Sequence, residues 1–334
     1  MPATQDDRRH MAHALRLARR GLGNVWPNPA VGCVLLRKGR IVGRGWTQPG
    51  GRPHAERMAL DVAGDLARGA TAYVTLEPCA HHGRTPPCAE GLVQSGVLRV
   101  VSALTDPDSR VAGRGHAILR DAGVEVVEGV MEAEARDLQA GFLSRITRGR
   151  PFVTLKLANS FDGRIATANG DSQWITGQAA RAHVHALRAQ HDAVLVGAGT
   201  ARADRPRLNV RGIATPRQPV RVVLGGDIPG LPPEGAEFGP LWHLQGDPVA
   251  ALAELADRGI TRVFCEGGGV LAGSLLRAGL VDHLIGYTAG VVIGADGRPG
   301  TGPMDLPALS HAPRFRLIET RTIGGDLFHR WQAI

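Results

Sequence analysis

With 334 residues, the chain is long enough for two domains that each bury a core of their own. Hydrophobic residues make up 43%, charged residues 21% and aromatics 4%, with 45 glycines and 22 prolines, a loop-rich globular composition that excludes a disordered or fibrous chain. The net charge of +8 suits anionic small substrates, nucleic acid or plain surface charge, and the longest apolar runs, such as 193–198, fall far short of the ~18 residues a membrane-spanning helix needs.

In the first half the apolar spacing predicts a helix over 11–20, then strands over 30–36 and 40–45 joined at Lys38-Gly39. A Gly/Pro loop at 48–53 leads to a helix over 54–67, a strand over 72–76, a helix over 89–96 and a strand over 97–103. A helix over 113–122 and a strand over 124–127 follow. Helices alternating with short apolar strands indicate a three-layer α/β domain. Arginines, Gly149 and Pro151 collect in 141–151, which sets the domain boundary and gives domains 1–147 and 148–334.

The second half repeats the alternation. A strand is expected over 152–158, a helix from an N-cap at Thr176 to about 190, strands over 193–197 and 220–224, a helix over 249–258 and a strand over 261–265. A Gly-rich loop opens a helix over 267–277, a strand covers 282–287, and 315–320 with 327–331 form a hairpin around Gly324-Gly325. This is a second α/β domain. The polar start of the chain, with no apolar stretch behind it, predicts a cytoplasmic protein.

Four cysteines, Cys33, Cys79, Cys88 and Cys265, are too few for a disulfide framework in a chain of this length. Cys33 and Cys265 sit in apolar strand patterns and read as core. The other two combine with His54-Ala55-Glu56 into an H-x-E and P-C pattern of the kind zinc deaminases carry. His54, Cys79 and Cys88 supply three zinc ligands, which leaves one tetrahedral position open and implies catalysis rather than structure. Glu56 cannot share the direction of His54 along a helix, so it suits a proton shuttle. Cys79 is placed near a helix start, where unpaired N–H groups favour a thiolate. Eight residues separate the cysteines, and His81 and His82 within that insert leave open a closed structural site. Only Lys38 and Lys156 of the 39 basic residues are lysines.

The insert CAHHGRTPPC over 79–88, Pro27-Asn28-Pro29-Ala30-Val31-Gly32 and Val111-Ala112-Gly113-Arg114-Gly115 resemble the bacterial bifunctional riboflavin-biosynthesis deaminase/reductase family. The second half carries the resemblance independently in Thr154-Leu155-Lys156-Leu157-Ala158, Asp162-Gly163-Arg164-Ile165-Ala166, Trp174-Ile175-Thr176-Gly177 and Glu266-Gly267-Gly268-Gly269. The resemblance spans nearly the whole chain. It implies an N-terminal cytidine-deaminase-like three-layer α/β/α domain and a C-terminal dihydrofolate-reductase-like α/β domain. The first would hydrolyse the 2-amino group of 2,5-diamino-6-(5-phosphoribosylamino)pyrimidin-4-one with zinc, and the second would reduce the ribose of the product to a ribityl chain with NADPH.

The same resemblance implies residue roles. Asn28, His82, Arg84 and Thr85 would meet the first substrate, although Arg84 and Thr85 also read as ordinary exposed loop. Ala158, Trp174, Thr200, Asp204, Gly268, Gly269, Val270, Leu271, Ala272, Gly273 and Ser274 would contact NADP. Ser172, Arg188, Leu208, Arg211 and Glu266 would contact the second substrate, and the mid-strand Lys156 is expected near its ribose. Read from residues alone, the Gly267-Gly268-Gly269 turn offers phosphate binding or tight packing, and Trp174 reads equally as core. That turn is not G-x-G-x-x-G, which disfavours a Rossmann fold. The partner implied is a phosphorylated pyrimidine, with neither nucleic acid nor membrane, and self-assembly into a homo-oligomer is left open. A nucleic-acid deaminase and a zinc-stabilised binding module are the competing readings.

Overall fold

The structure, a computed structural model, describes residues 4–82, 86–108, 112–226 and 230–334 and divides into two compact units, Met1–Gly149 and Arg150–Ile334. Among the described residues no helix is long and apolar enough to cross a membrane.

The first unit runs α1 (Gln5–Ala18), β1 (Gly32–Arg37), β2 (Arg40–Trp46), α2 (Ala55–Ala63), β3 (Thr71–Val74), α3 (Cys88–Gln94), β4 (Arg99–Ser102), α4 (Arg114–Asp121), β5 (Glu125–Val127), α5 (Glu132–Leu138) and α6 (Ala140–Arg148). α1 starts six residues before its apolar stripe suggests, because Thr4 and Asp7 form a reciprocal capping box whose polar first turn carries no periodicity. Asp7 then turns inward, pairing with Arg99 of β4 at 2.7 Å and accepting the Tyr73 hydroxyl at 3.1 Å. Lys38 and Gly39, at φ 48° and 74°, make the tight β1–β2 turn, so Lys38 is a turn residue.

The sheet has the order β2-β1-β3-β4-β5, with β1 antiparallel to both β2 and β3 and the remaining pairs parallel. Register decides its two faces. Gly45 pairs with Cys33 and points at α2, whereas Gly32 pairs with Trp46 and points at α1, so the two helices lie on opposite faces. The approach is close: a Cβ on Gly43 or Gly45 would lie 2.2 or 2.1 Å from the carbonyl oxygens of Ala59 and Ala55. Glycine at those two positions lets α2 lie directly on β2 and fixes the height of its N-terminus. α6 occupies most of the arginine-rich stretch read as a boundary, directly after the short α5, and its Phe142 joins the core.

The second unit runs β6 (Phe152–Ser160), β7 (Arg164–Ala166), α7 (Gln178–Arg188), β8 (Ala193–Gly197), α8 (Ala198–Asp204), β9 (Val220–Leu224), β10 (Leu241–Leu244), α9 (Pro248–Asp257), β11 (Arg262–Gly267), α10 (Gly269–Arg277), β12 (His283–Ala289), β13 (Arg298–Pro299), β14 (Phe315–Ile323) and β15 (Asp326–Ala333). Eight strands in the order β10-β9-β8-β11-β6-β12-β15-β14 form one sheet, parallel through β12 and closed by an antiparallel hairpin, while β7 and β13 form a separate ribbon. The expected hairpin turn at Gly324-Gly325 is present between the paired Ile323 and Asp326.

Thr176 is not the cap of α7. Gly177 holds that place, and its N–H donates to the Asp326 carboxylate at 2.7 Å, which ties the start of the helix to a residue about 150 positions away. α8, β7, β10 and β13 lie outside the predicted elements. β8 ends at Gly197, and the chain turns at once into α8.

Candidate functional site

In the first unit α2 begins at His54, which is its N-cap, and Glu56 stands in its first turn, buried at 4% exposure. Cys88 is the first residue of α3, and Cys79 lies in the loop before it. The helix start expected at Cys79 therefore belongs to Cys88, but the effect reaches Cys79 through space: the Cys88 N–H donates to the Cys79 sulfur at 3.3 Å. His54 Nδ1 stands 3.7 Å from the sulfur of Cys79 and 3.4 Å from that of Cys88, and the three donor atoms lie within 4.8 Å of one another.

These donors fit zinc. Bonds of ~2.3 Å to sulfur and ~2.0 Å to nitrogen at a tetrahedral angle set an N···S edge of roughly 3.5 Å, which the two observed distances bracket. Among the described residues no fourth His, Cys or carboxylate joins the group. His82, the expected substrate contact, is exposed and paired with Glu90 at 3.1 Å, while His81 lines the neighbouring cavity. Arg84 and Thr85 lie outside the described residues.

Electrostatics separates the groups. The hydrogen bond with Cys88, then that with His54, pulls the Cys79 thiol down to about 4, and Cys88, facing that thiolate, is pushed well up. Burial, then the Cys79 thiolate, raises the Glu56 carboxyl to about 7. A cavity of ≈ 290 Å³ opens in front, lined by Asn28, His54, Glu56, Cys79, Asp106 and Arg145 among others. Gly51, at φ 84°, passes so close to Asn28 that a Cβ would lie 1.8 Å from its amide nitrogen, which sets Asn28 against the cavity.

Glu77 escaped the sequence reading. Its buried carboxylate accepts the N–H groups of Asp106, Gly113, Gly115 and His116 at 3.1, 3.0, 2.9 and 3.3 Å, tying Asp106 and the start of α4 to the cavity wall. The only signal was its place before Pro78-Cys79.

In the second unit the carboxyl ends of parallel strands meet, the usual position for a ligand in such sheets. Leu155 pairs with Cys265, which sets Lys156 of β6 beside Glu266 of β11 on the same face. The register with β8 shifts at Glu266, a bulge that aims its side chain into the cleft. Lys156 Nζ stands 3.8 Å from Glu266, and the Arg188 guanidinium of α7 is hydrogen-bonded to the same carboxylate. Burial alone would raise Glu266; Arg188 and then Lys156 outweigh it and hold the carboxyl below its ordinary value. Burial lowers Lys156, with Glu266 opposing.

These residues line a cavity of ≈ 430 Å³ together with Ala158, Ser172, Trp174, Thr200, Asp204, Arg211 and Gly268. Trp174 is 67% exposed with the Arg181 guanidinium 4.4 Å from its ring centre, which removes the core reading. A second cavity of ≈ 420 Å³ runs over Gly268, Gly269, Val270 and Leu271 and shares Ser172, Thr200 and Asp204 with the first. A Cβ on Gly268 would lie 2.4 Å from the Thr200 hydroxyl, so the turn is a bare main-chain cradle at a helix start, and the residues fit a pyrophosphate-bearing cofactor. Ala272, Gly273 and Ser274 line neither cavity: the first two are buried inside α10, with Gly273 packed on Gly302. Leu208 also stays out of both, its side chain packed with Val194, Val196 and Val223.

Comparison with known proteins agrees with both halves. Residues 4–104 match the cytidine and deoxycytidylate deaminase zinc-binding region, and residues 151–229 and 233–329 match the RibD C-terminal domain. The riboflavin biosynthesis protein RibD of Escherichia coli K12 is 42% identical over 360 residues, covering 96% of this chain and 98% of that protein. That of Mycobacterium tuberculosis H37Rv is 41% identical over 319 residues, 91% of each. Among solved structures, Acinetobacter baumannii RibD superposes with a TM-score of 0.90 at 40% identity over 99% of both chains. A Thermotoga maritima diaminohydroxyphosphoribosylaminopyrimidine deaminase/5-amino-6-(5-phosphoribosylamino)uracil reductase gives 0.88 at 34% over 98% of this chain and 99% of that one. With two layered α/β units, a His/Cys/Cys metal group in the first and a glycine cradle in the second, the chain belongs to the RibD family of bifunctional riboflavin-biosynthesis deaminase/reductases.

Proposed function

We propose that the first unit removes the 2-amino group of 2,5-diamino-6-(5-phosphoribosylamino)pyrimidin-4-one as ammonia, and that the second reduces the ribosyl group of the resulting uracil ribotide to a ribityl chain. The observation that carries the first step is the His54, Cys79 and Cys88 group facing a cavity beside a buried carboxyl. When bound by those three residues, zinc supplies Lewis acidity that makes water a nucleophile near neutral pH. Glu56, buried beside the metal group, takes a proton from water and returns it to the departing amino group. Asn28 orients the ring through its amide.

In the second unit NADPH supplies the hydride. Gly268 and the start of α10 hold its phosphates, Thr200 and Asp204 flank them, and Trp174 lines the cleft. Arg188 and Arg211 hold the substrate phosphate, Glu266 accepts from ring N–H groups, and Lys156 stands at the ribose. The four free cysteines agree with a reducing compartment, the cytoplasm.

One incubation separates the two activities: ammonia release without NADPH, and loss of nicotinamide absorbance when it is added. Glu56→Gln should slow ammonia release by about 10³-fold and leave reduction of the uracil ribotide unchanged. Lys156→Met should do the reverse. An unchanged rate in either variant removes that residue from its role.

A further inference from the structure

The cleft of the second unit holds an imidazole that the proposed mechanism does not use. His185 lies on α7 three residues before Arg188 and lines the same cavity as Arg188, Arg211, Lys156 and Glu266. Its Nδ1 accepts the backbone N–H of Arg211 at 3.2 Å. A backbone N–H only donates, so Nδ1 carries no proton and the hydrogen of the neutral ring is on Nε2. That bond does two things: it ties the chain bearing Arg211 to α7, and it makes the remaining ring nitrogen a donor of fixed direction.

The surroundings keep the ring neutral. Burial, then Arg188 and Arg211, holds the imidazole below its ordinary value, with Glu266 and the Asn209 backbone opposing; Arg207 adds its charge beside Arg211. Protonation at Nδ1 would set two donors against each other and release Arg211. One end of the cleft thus presents two guanidiniums and one oriented neutral N–H, a donor set that suits an oxyanion with several acceptor atoms.

Resting on the placement of the substrate phosphate at Arg188 and Arg211, we propose that His185 Nε2–H is the third donor to that phosphate and a direct substrate contact of the reductase.

The test compares the uracil ribotide with its dephosphorylated riboside. His185→Leu should raise KM for the ribotide about 10-fold, the value of one hydrogen bond, with kcat within about twofold and ammonia release unchanged. The same variant should leave KM for the riboside unaltered. His185→Gln keeps an acceptor for the Arg211 N–H and a donor for the phosphate, and should restore KM to within about threefold. In the unsubstituted protein inorganic phosphate should shift the His185 Nε2 nuclear resonance, which needs no variant. An equal loss with ribotide and riboside, no rescue by glutamine, or an unmoved resonance overturns the assignment. Arg188→Gln and Arg211→Gln separate the two levels: if these too fail to distinguish ribotide from riboside, the phosphate site itself is misplaced; if they distinguish and His185→Leu does not, only the histidine contact fails.

Discussion

At the residue scale, the first unit depends on a carboxylate that does no chemistry. Glu77 is buried and accepts four main-chain N–H groups from the chain around Asp106, which lines the cavity. A neutral amide offers one acceptor where the carboxylate offers two, and turns an NH₂ group toward donors that then go unpaired. Glu77→Gln should therefore destabilise the first unit by about 2–4 kcal/mol, read as a lowered urea midpoint for that unit alone. Glutamate stood in plain view in the sequence beside Pro78-Cys79. What it holds did not, because its partners lie about 30 to 40 residues further along and are backbone groups, which leave no trace in residue type.

At the element scale, the position of α2 sets the metal group, since His54 caps it and Glu56 stands in its first turn. That position rests on Gly43 and Gly45 admitting the helix main chain. Gly45→Ala would push its Cβ to 2.1 Å from the Ala55 carbonyl, and the N-terminus of α2 must move. Bound zinc per chain and ammonia release should both drop at least 10-fold, with reduction intact; a full zinc complement would refute the packing argument. In the second unit His191 joins α7 to β6, contacting the Leu187 carbonyl at 2.7 Å and the Thr154 hydroxyl at 3.0 Å. Burial holds its imidazole down to about 3, against 6.5 for the ordinary group. Below pH 6.5 the unfolded chain takes a proton that the folded one refuses, so the stability due to this ring is complete above 6.5 and drains away as pH falls toward 3. The slope is up to about 1.4 kcal/mol per pH unit, and chemical unfolding of His191→Gln between pH 6 and 4 should show the second unit losing stability that much less steeply.

At the scale of the molecule, each unit has its own core and its own site. A chelator such as dipicolinate should abolish ammonia release and leave NADPH oxidation with the uracil ribotide unchanged, because the His54, Cys79 and Cys88 group has no counterpart among the described residues of the second unit. Circular dichroism in the same sample answers the binding-module reading: a zinc ion that only stabilised structure would take the first unit's fold with it.

The sequence by itself determined the two-part α/β plan, the zinc donors with their neighbouring carboxyl and the glycine turn, since each is a local pattern of residue types at short spacing. Most strands and helices were legible for the same reason, their apolar periodicity being written within ten residues. Only the tertiary structure decided that Gly177 rather than Thr176 caps α7, that a bulge turns Glu266 toward Lys156, and that His82 points away while His81 faces the cavity. It also decided that Leu208 is packed in core and that His185 Nδ1 accepts from the Arg211 backbone. Those outcomes depend on strand register and on hydrogen bonds between segments far apart in the chain, and such pairings exist only once the sheets have formed.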